Sequence, residues 1–279
     1  MVGSMFAAIS GLKSHQTKMD VIGNNIANVN TWGFKSQSAN FMDATYRTRI
    51  AGSAGSPAAG GGVNSSQIGY GANVGSISVN YSTGNWNPTG WGSDCMINGP
   101  GFFVVSTSRN GAGGTNLTAA SGVSLSRVGI LGIDSEGYLV DAQGSYVLDT
   151  EGRVIHNTGT FSSLTVEADG TVTGVHSEAD RAGEVETIGK LGVASVQNPN
   201  GLNKDQGYYY TIGPNAGTVT LGASNKATGE VLGGYLEMSN TDLSTEMANM
   251  ITTQRGFQAN TKIITVTDQM LEELVNMKR

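Results

Sequence analysis

The sequence predicts a mixed α and β fold, with long helices at both ends packed as a coiled-coil-like inner domain and a mainly antiparallel β domain between them. Three observations predict it. Apolar residues recur every three or four positions near both termini, and in the middle they fall in short runs divided by turn residues. In addition, 41 of the 279 residues are glycine, roughly twice the usual share and suited to a chain of many tight turns.

In the first segment Val2, Met5, Phe6, Ile9, Leu12, Met19, Ile22, Ile26 and Val29 share one helical face, interrupted by Gln16. The pattern predicts a helix over residues 3–29, about 40 Å long. Asn24, Asn25, Asn28 and Asn30 weaken its last turns, because short amides compete for backbone hydrogen bonds. Gly33 then supplies a stop. Two readings of Asn25, Asn28 and Asn30 stand side by side: they bond a neighbouring subunit, or they satisfy backbone groups at the helix end.

At the other end Leu243, Met250, Phe257, Ile264 and Leu271 recur every seven residues. Met247 and Val275 belong to a second such series, which also contains Gln254, Thr261 and Asp268. Ile263, Val266, Met270, Leu274 and Met277 add a further apolar edge, more than one partner helix covers. A helix over 243–277 would reach about 52 Å. Asp242 or Thr241 caps its start, and Lys278 and Arg279 suit the negative end of its dipole.

These patterns divide the chain into helical segments at 1–35 and 237–279, a glycine-rich extended connector with β elements at 36–93, and a β domain at 94–236. The two helices are expected to pair antiparallel. A pair has too little bulk to bury every apolar face, so packing against further copies of the chain is expected, with docking on its own β domain as the alternative. Candidate packing residues are Met5, Ile9, Leu12, Met19, Ile26, Leu243, Met247, Met250, Phe257, Ile264, Leu271 and Val275, joined by the polar Asn25, Asn28 and Arg255.

The interior alternates β-prone runs with turns. Phe102-Phe103-Val104-Val105 follows Gly99-Pro100-Gly101, and strands are expected on either side of a turn within 134–148. Another hairpin is expected from 161–166 and 172–175 around Asp169-Gly170, with later strands at 188–196, 208–212 and 218–221. The stretch 52–62 reads as loop. Together these runs predict an antiparallel barrel or sandwich.

Charge narrows the function. The net charge is −6, which argues against nucleic acid as the main partner. It is also unevenly placed: residues 1–49 carry +3, residues 127–237 carry −8, and 50–126 hold only Asp94 and Arg109. No apolar run approaches the roughly 20 residues that span a bilayer. The single Cys95 excludes an internal disulfide, and His15, His156 and His176 lack zinc-site spacing. The pairs Asp134/Glu136 and Glu184/Glu186 lie in glycine-rich hairpins, where solvated side chains are the simpler reading. No enzyme chemistry and no cofactor are expected.

The run Asn24-Asn25-Ile26-Ala27-Asn28-Val29-Asn30-Thr31-Trp32-Gly33-Phe34-Lys35 resembles the N-terminal signature of bacterial flagellar rod and hook proteins. Residues 94–103 resemble that family's acidic-aliphatic stretch with glycine turn and paired aromatics, although Pro100 stands where a polar residue is more usual. Arg127, residues 134–144, Asn198-Pro199-Asn200-Gly201-Leu202, Ser239-Asn240-Thr241-Asp242-Leu243 and residues 254–260 resemble further landmarks, in family order. Asp242-Leu243, 254–260 and the ending 274–279 are most similar to the hook branch, in its compact Gram-positive form; the distal rod branch is the alternative. The resemblance implies a subunit of a flexible joint transmitting torque from rod to filament. It further implies type III flagellar export, placement in the flagellar hook and basal body outside the cell, and no membrane insertion. Its partners would be further copies of itself, the distal rod protein, the hook cap, the hook–filament junction protein and the export apparatus. A secreted adhesin-like binding module on a coiled-coil base is the competing class.

Overall fold

The computed structural model describes residues 2–55, 61–118, 121–157, 159, 161–177, 181, 183–225 and 228–277. The chain divides into two compact units. Unit 1 holds 1–27, 37–79 and 242–279; unit 2 holds 28–36 and 80–241. The expected roles of Lys278 and Arg279 lie outside the described residues, as does part of the stretch 52–62.

In unit 1, helix α1 (Val2–Ala27) and helix α2 (Leu243–Asn276) pack together. Their direction follows from three close approaches: Gly11 against Asn260, Gly256 against His15, and Asn25 against Glu246. Rising numbers on one helix meet falling numbers on the other, so the pair is antiparallel. Asp242 caps α2, its carboxylate accepting from the Ser244 amide at 3.0 Å and the Thr245 hydroxyl at 2.6 Å. Those bonds, the Thr245 one foremost, hold its pKa below the usual carboxylate value. Helix α1 ends at Ala27, before Gly33, and a turn follows in which Asn28 accepts from both the Thr31 amide and the Thr31 hydroxyl.

Residues 37–79, which read as an extended connector, form a paired ribbon. Strand Gln37–Asp43 pairs antiparallel with Ala72–Val79, and Tyr46–Ile50 with Ser66–Gly69. A bridge from Ser53 to Val63 continues the pairing outward. The ribbon packs on α1, where the Ser14 hydroxyl donates to the Ala72 carbonyl at 3.0 Å and the His15 ring meets Phe41 edge to face at 5.5 Å.

Unit 2 is built on a twelve-stranded antiparallel sheet. Phe102–Ser106 is its centre, pairing along one edge with Val123–Ser126 and along the other with Val193–Val196 and Tyr146–Val147. Period-two alternation sends Phe103 and Val105 into one apolar core and Phe102 and Val104 into another, so both faces of the strand are covered. A three-stranded sheet joins Phe161–Val166, Thr171–His176 and Val185–Lys190. The run 188–196, expected as one strand, is two strands in different sheets. The break falls at Gly192, where a side chain would meet the Asp149 carbonyl at 2.6 Å and Leu221 at 2.7 Å.

Gly101 sits where the glycine turn before the central strand meets the backbone at Thr228. A Cβ there would lie 2.3 Å from the Thr228 oxygen, whereas one on Gly132 would meet nothing within 4 Å. Gly101→Ala should therefore lower the unfolding free energy by about 2 kcal/mol or more, and Gly132→Ala by less than about 1 kcal/mol. Equilibrium urea denaturation of the two variants measures the contrast.

Candidate assembly surface

The face of α2 turned to α1 is made largely of small and polar residues. Thr253 and Thr267 are its fully buried positions, two heptads apart, with Gly256 between them. Each threonine hydroxyl donates to the carbonyl four residues earlier, on Asn249 and Ile263, at 2.7 Å. These groups are thereby satisfied within their own helix. Ala8, Ser14, Val21, Ile22 and Asn25 are the buried positions of α1, Ser14 lying under the ribbon at Ala72. His15 lies between Gly256 of α2 and Phe41 of the ribbon; burial, with Lys18 alongside, lowers its pKa and keeps the ring neutral at pH 7.

The bulky residues of α2 divide between the margin of that face and solvent. Met250, Phe257, Ile264 and Leu271 are half-buried. Leu243, Met247, Val275, Ile251, Ile263, Val266, Met270 and Leu274 are exposed, Val275 at 68% and Ile251 at 59%. On α1, Met5, Ile9, Leu12, Met19 and Ile26 are half-buried, while Phe6 is 55% exposed. Arg255 donates to Gln258 on its own helix at 3.2 Å.

Asn25 is fully buried inside unit 1. Its amide nitrogen donates to the Gln37 carbonyl at 2.7 Å and to Glu246 Oε1 at 2.9 Å, and its oxygen accepts from the Gln37 amide at 2.9 Å. One side chain thus joins α1, the start of the ribbon and the first turn of α2. Glu246 suits that place, because a carboxylate in the first turn meets the positive end of the helix dipole.

Sequence reasoning missed a second buried polar group, in unit 2. Glu237 ends the strand Tyr235–Glu237, and its side chain is wholly buried. It accepts from Lys35 Nζ at 2.6 Å, from Arg127 Nε at 3.0 Å and Nη2 at 3.2 Å, and from the Gly84 amide at 2.8 Å. Lys35 also donates to the Ser82 carbonyl at 2.8 Å, and Arg127 to the carbonyls of Gly99 and Gly101. Burial, reinforced by Arg127 and opposed by Glu237, pushes the Lys35 ammonium down to about 8. The signal for this cluster was slight: each residue directly follows a strand-like or apolar neighbour, as in Phe34-Lys35, Ser126-Arg127 and Leu236-Glu237.

The described residues hold no group of three or more His, Cys, Asp or Glu side chains placed to bind a metal ion, and no described helix is long and apolar enough to cross a membrane. Cys95 is buried, and burial pushes its thiol pKa well up, which disfavours the reactive thiolate.

Comparison with known proteins carries the assignment. Residues 5–35 match the flagella basal body rod protein family, and residues 232–277 match the C-terminal region of flagellar basal body rod FlgEFG proteins. The chain is 40% identical to the flagellar basal-body rod protein FlgG of Bacillus subtilis over 283 aligned positions, covering all of both chains. It belongs to the flagellar rod and hook protein family. It is also 32% identical to FlgG of Buchnera aphidicola subsp. Baizongia pistaciae, covering 98% of this chain and 99% of that one. The flagellar hook protein FlgE of Borreliella burgdorferi is 26% identical across the whole of both chains, but that alignment spreads over 446 positions. The hook protein therefore carries length with no counterpart here. The chain is a structural subunit of this family.

Two measurements test the buried groups. Asn25→Ala strands the Gln37 amide and carbonyl, and should destabilise unit 1 by about 2–3 kcal/mol, read by hydrogen exchange of the α2 amides. For Lys35 the sign follows from linkage. An unfolded lysine titrates near 10.4, so between pH 8 and 10.5 the unfolded chain holds more protons than the folded one. Lys35 therefore adds stability as pH rises through that window, by at most about 3 kcal/mol. Cys95 and Tyr81, both shifted up by burial, act the opposite way. Their effects cancel in the difference between the native chain and Lys35→Met, which should grow with pH; a difference that stays flat refutes a buried charged lysine.

Proposed function

We propose that the chain is a rod subunit of the flagellar basal body, which polymerises by covering the outward apolar stripe of α2 with neighbouring copies. The observation that carries this reading is the division of α2 into a small, internally satisfied face toward α1 and a bulky face left in water. Exposed apolar residues in two groups on this 34-residue helix, Leu243 to Ile251 and Ile263 to Val275, are a standing cost for a free subunit. In this reading Leu243, Met247, Met250, Phe257, Ile264, Leu271 and Val275, with Met5, Ile9, Leu12, Met19 and Ile26, are packing contacts between or within copies. Asn28 and Arg255 lie at their margin, and Asn25 acts first within the chain. The methionines suit contacts that must adapt, since their unbranched side chains tolerate changed cavities.

The rod assignment replaces the hook as the leading reading. It rests on rod relatives that match from end to end at equal length, whereas the hook relative matches only with a large insertion. The subunit would pass through the flagellar export apparatus, act outside the cytoplasm, and assemble with other rod and hook components. The hook remains the second reading, favoured by the full-length similarity to the hook protein of Borreliella burgdorferi.

Electron microscopy of the purified polymer separates the two, because a rod subunit should form straight tubes and a hook subunit curved ones. The stripe is tested by Met270→Asp with Leu274→Asp. The doubly substituted chain should keep monomer helicity by circular dichroism and fail to polymerise; normal tubes would rule the stripe out as an interface.

A further inference from the structure

Glu237 occupies an unusual place in the chain order. The segment that carries it is the last of unit 2, and it touches the earliest parts of that unit. Glu230–Gly233 pairs with Asp94–Asn98, and Tyr235–Glu237 pairs with Trp86–Pro88. The Met238 amide donates to the Asn85 carbonyl, and the Glu237 carbonyl accepts from the Gly33 amide, each at 2.8 Å. The Asn240 side chain accepts from the Ser36 amide and donates to the Asn80 carbonyl, again at 2.8 Å. Residues 28–36 and 80–88 are therefore held by a strand that follows them by some 150–200 positions in the sequence.

Charge makes that dependence sharp. The side chains of Lys35 and Arg127 are 0% and 3% exposed, and Glu237 is the carboxylate between them. Their other partners are backbone carbonyls at Ser82, Gly99 and Gly101 and, for Arg127, the Phe102 ring at 5.6 Å, which offset a positive charge only in part. Burying two cations with no anion is strongly unfavourable, while one carboxylate shared by bidentate Arg127 and a direct Lys35 contact cancels one of the two charges and leaves the other to the carbonyl dipoles. Residues 33–36 and 80–84 thus close around a carboxylate that comes late in the chain. The central strand differs. Phe102–Ser106 pairs with Val123–Ser126 and Val193–Val196, and its two cores are apolar.

We propose that Glu237 is an electrostatic closing residue. The central sheet of unit 2 forms on apolar packing, but the segments next to both helices, 28–36 and 237–241, lock together only when the Glu237 carboxylate pairs with Lys35 and Arg127 and offsets one of their two positive charges. A chain delivered N-terminus first then keeps the segment after α1 open until nearly the whole of unit 2 is present. The lock belongs to the single subunit and does not depend on whether the polymer is rod or hook.

Hydrogen exchange of the full-length monomer, read by amide, tests this with Glu237→Gln, Glu237→Asp, Lys35→Met and the double variant Lys35→Met/Glu237→Gln. Glu237→Gln should speed exchange at Gly33, Ser36, Gly84, Met238 and Asn240 by roughly 10- to 100-fold, the loss expected for a charged buried hydrogen bond. Amides of Phe102–Ser106 and Val193–Val196 should keep their native rates. Glu237→Asp, with the charge kept and the reach shortened, should give a smaller increase at the same five amides. Lys35→Met alone should change little there, because Glu237 keeps Arg127 and Gly84. Adding Lys35→Met to Glu237→Gln should recover part of the protection, since one buried cation is removed. The proposal fails if Glu237→Gln leaves the five amides unchanged or unfolds unit 2 as a whole. It also fails if removing Lys35 brings no recovery, because the contact would then act through shape and not through charge.

Discussion

The closeness of α1 and α2 is the constraint on which unit 1 depends. The helices meet where Gly11, Gly256, Thr253 and Thr267 offer little side-chain volume. A glycine inside a helix costs roughly 1 kcal/mol relative to alanine, so its presence there needs a packing reason. The reason at Gly256 is the His15 ring, which a Cβ would approach to 2.6 Å. Small residues at the centre of the contact leave many of the bulky ones exposed. The exposed stripe of α2 is therefore a consequence of how the pair is built and not a failure of burial.

Unit 2 solves a different problem. Its sheet buries both faces of the central strand with ordinary apolar packing, yet the places where chain enters and leaves the unit are held by ions. An ion cluster adds little net stability compared with apolar packing of the same volume, but it tolerates few alternative partners. At a junction whose register must be unique, such selectivity is worth more than affinity. The glycine turn at 99–101 takes part in this, because its carbonyls bind the Arg127 guanidinium that Glu237 also holds.

Much of the fold was legible because it rests on periodicity. The step of three and four gave both helices to within a few residues, and Asp242 marked the start of α2 through its capping chemistry. The runs 161–166 and 172–175 read as a hairpin because Asp169-Gly170 permits the turn. The run 188–196 misled for the opposite reason. Its local text is uniformly β-prone, and the break at Gly192 is imposed by Asp149 and Leu221, which are distant in sequence. The ribbon of 37–79 was legible as β elements within a connector, but its pairing was not. Its strands are held by backbone pairing and carry serine, asparagine and glycine where an alternating apolar pattern would have announced them. Lys35, Arg127 and Glu237 escaped because charged residues are read as surface by default, and burial of all three needs contacts no local window contains. The heptad of Met250, Phe257, Ile264 and Leu271 was readable, but the polar series of Glu246, Thr253 and Thr267 beside it was not, since threonine and glutamate do not advertise an inward face.

The three hydrogen bonds of Asn25 also give the helix pair a direction. They fasten the C-terminal end of α1 to the N-terminal end of α2, where the ribbon begins. The pair therefore behaves like a clasp with its pin at the Asn25 end, and loss of that one side chain would release both helices and the first strand of the ribbon together.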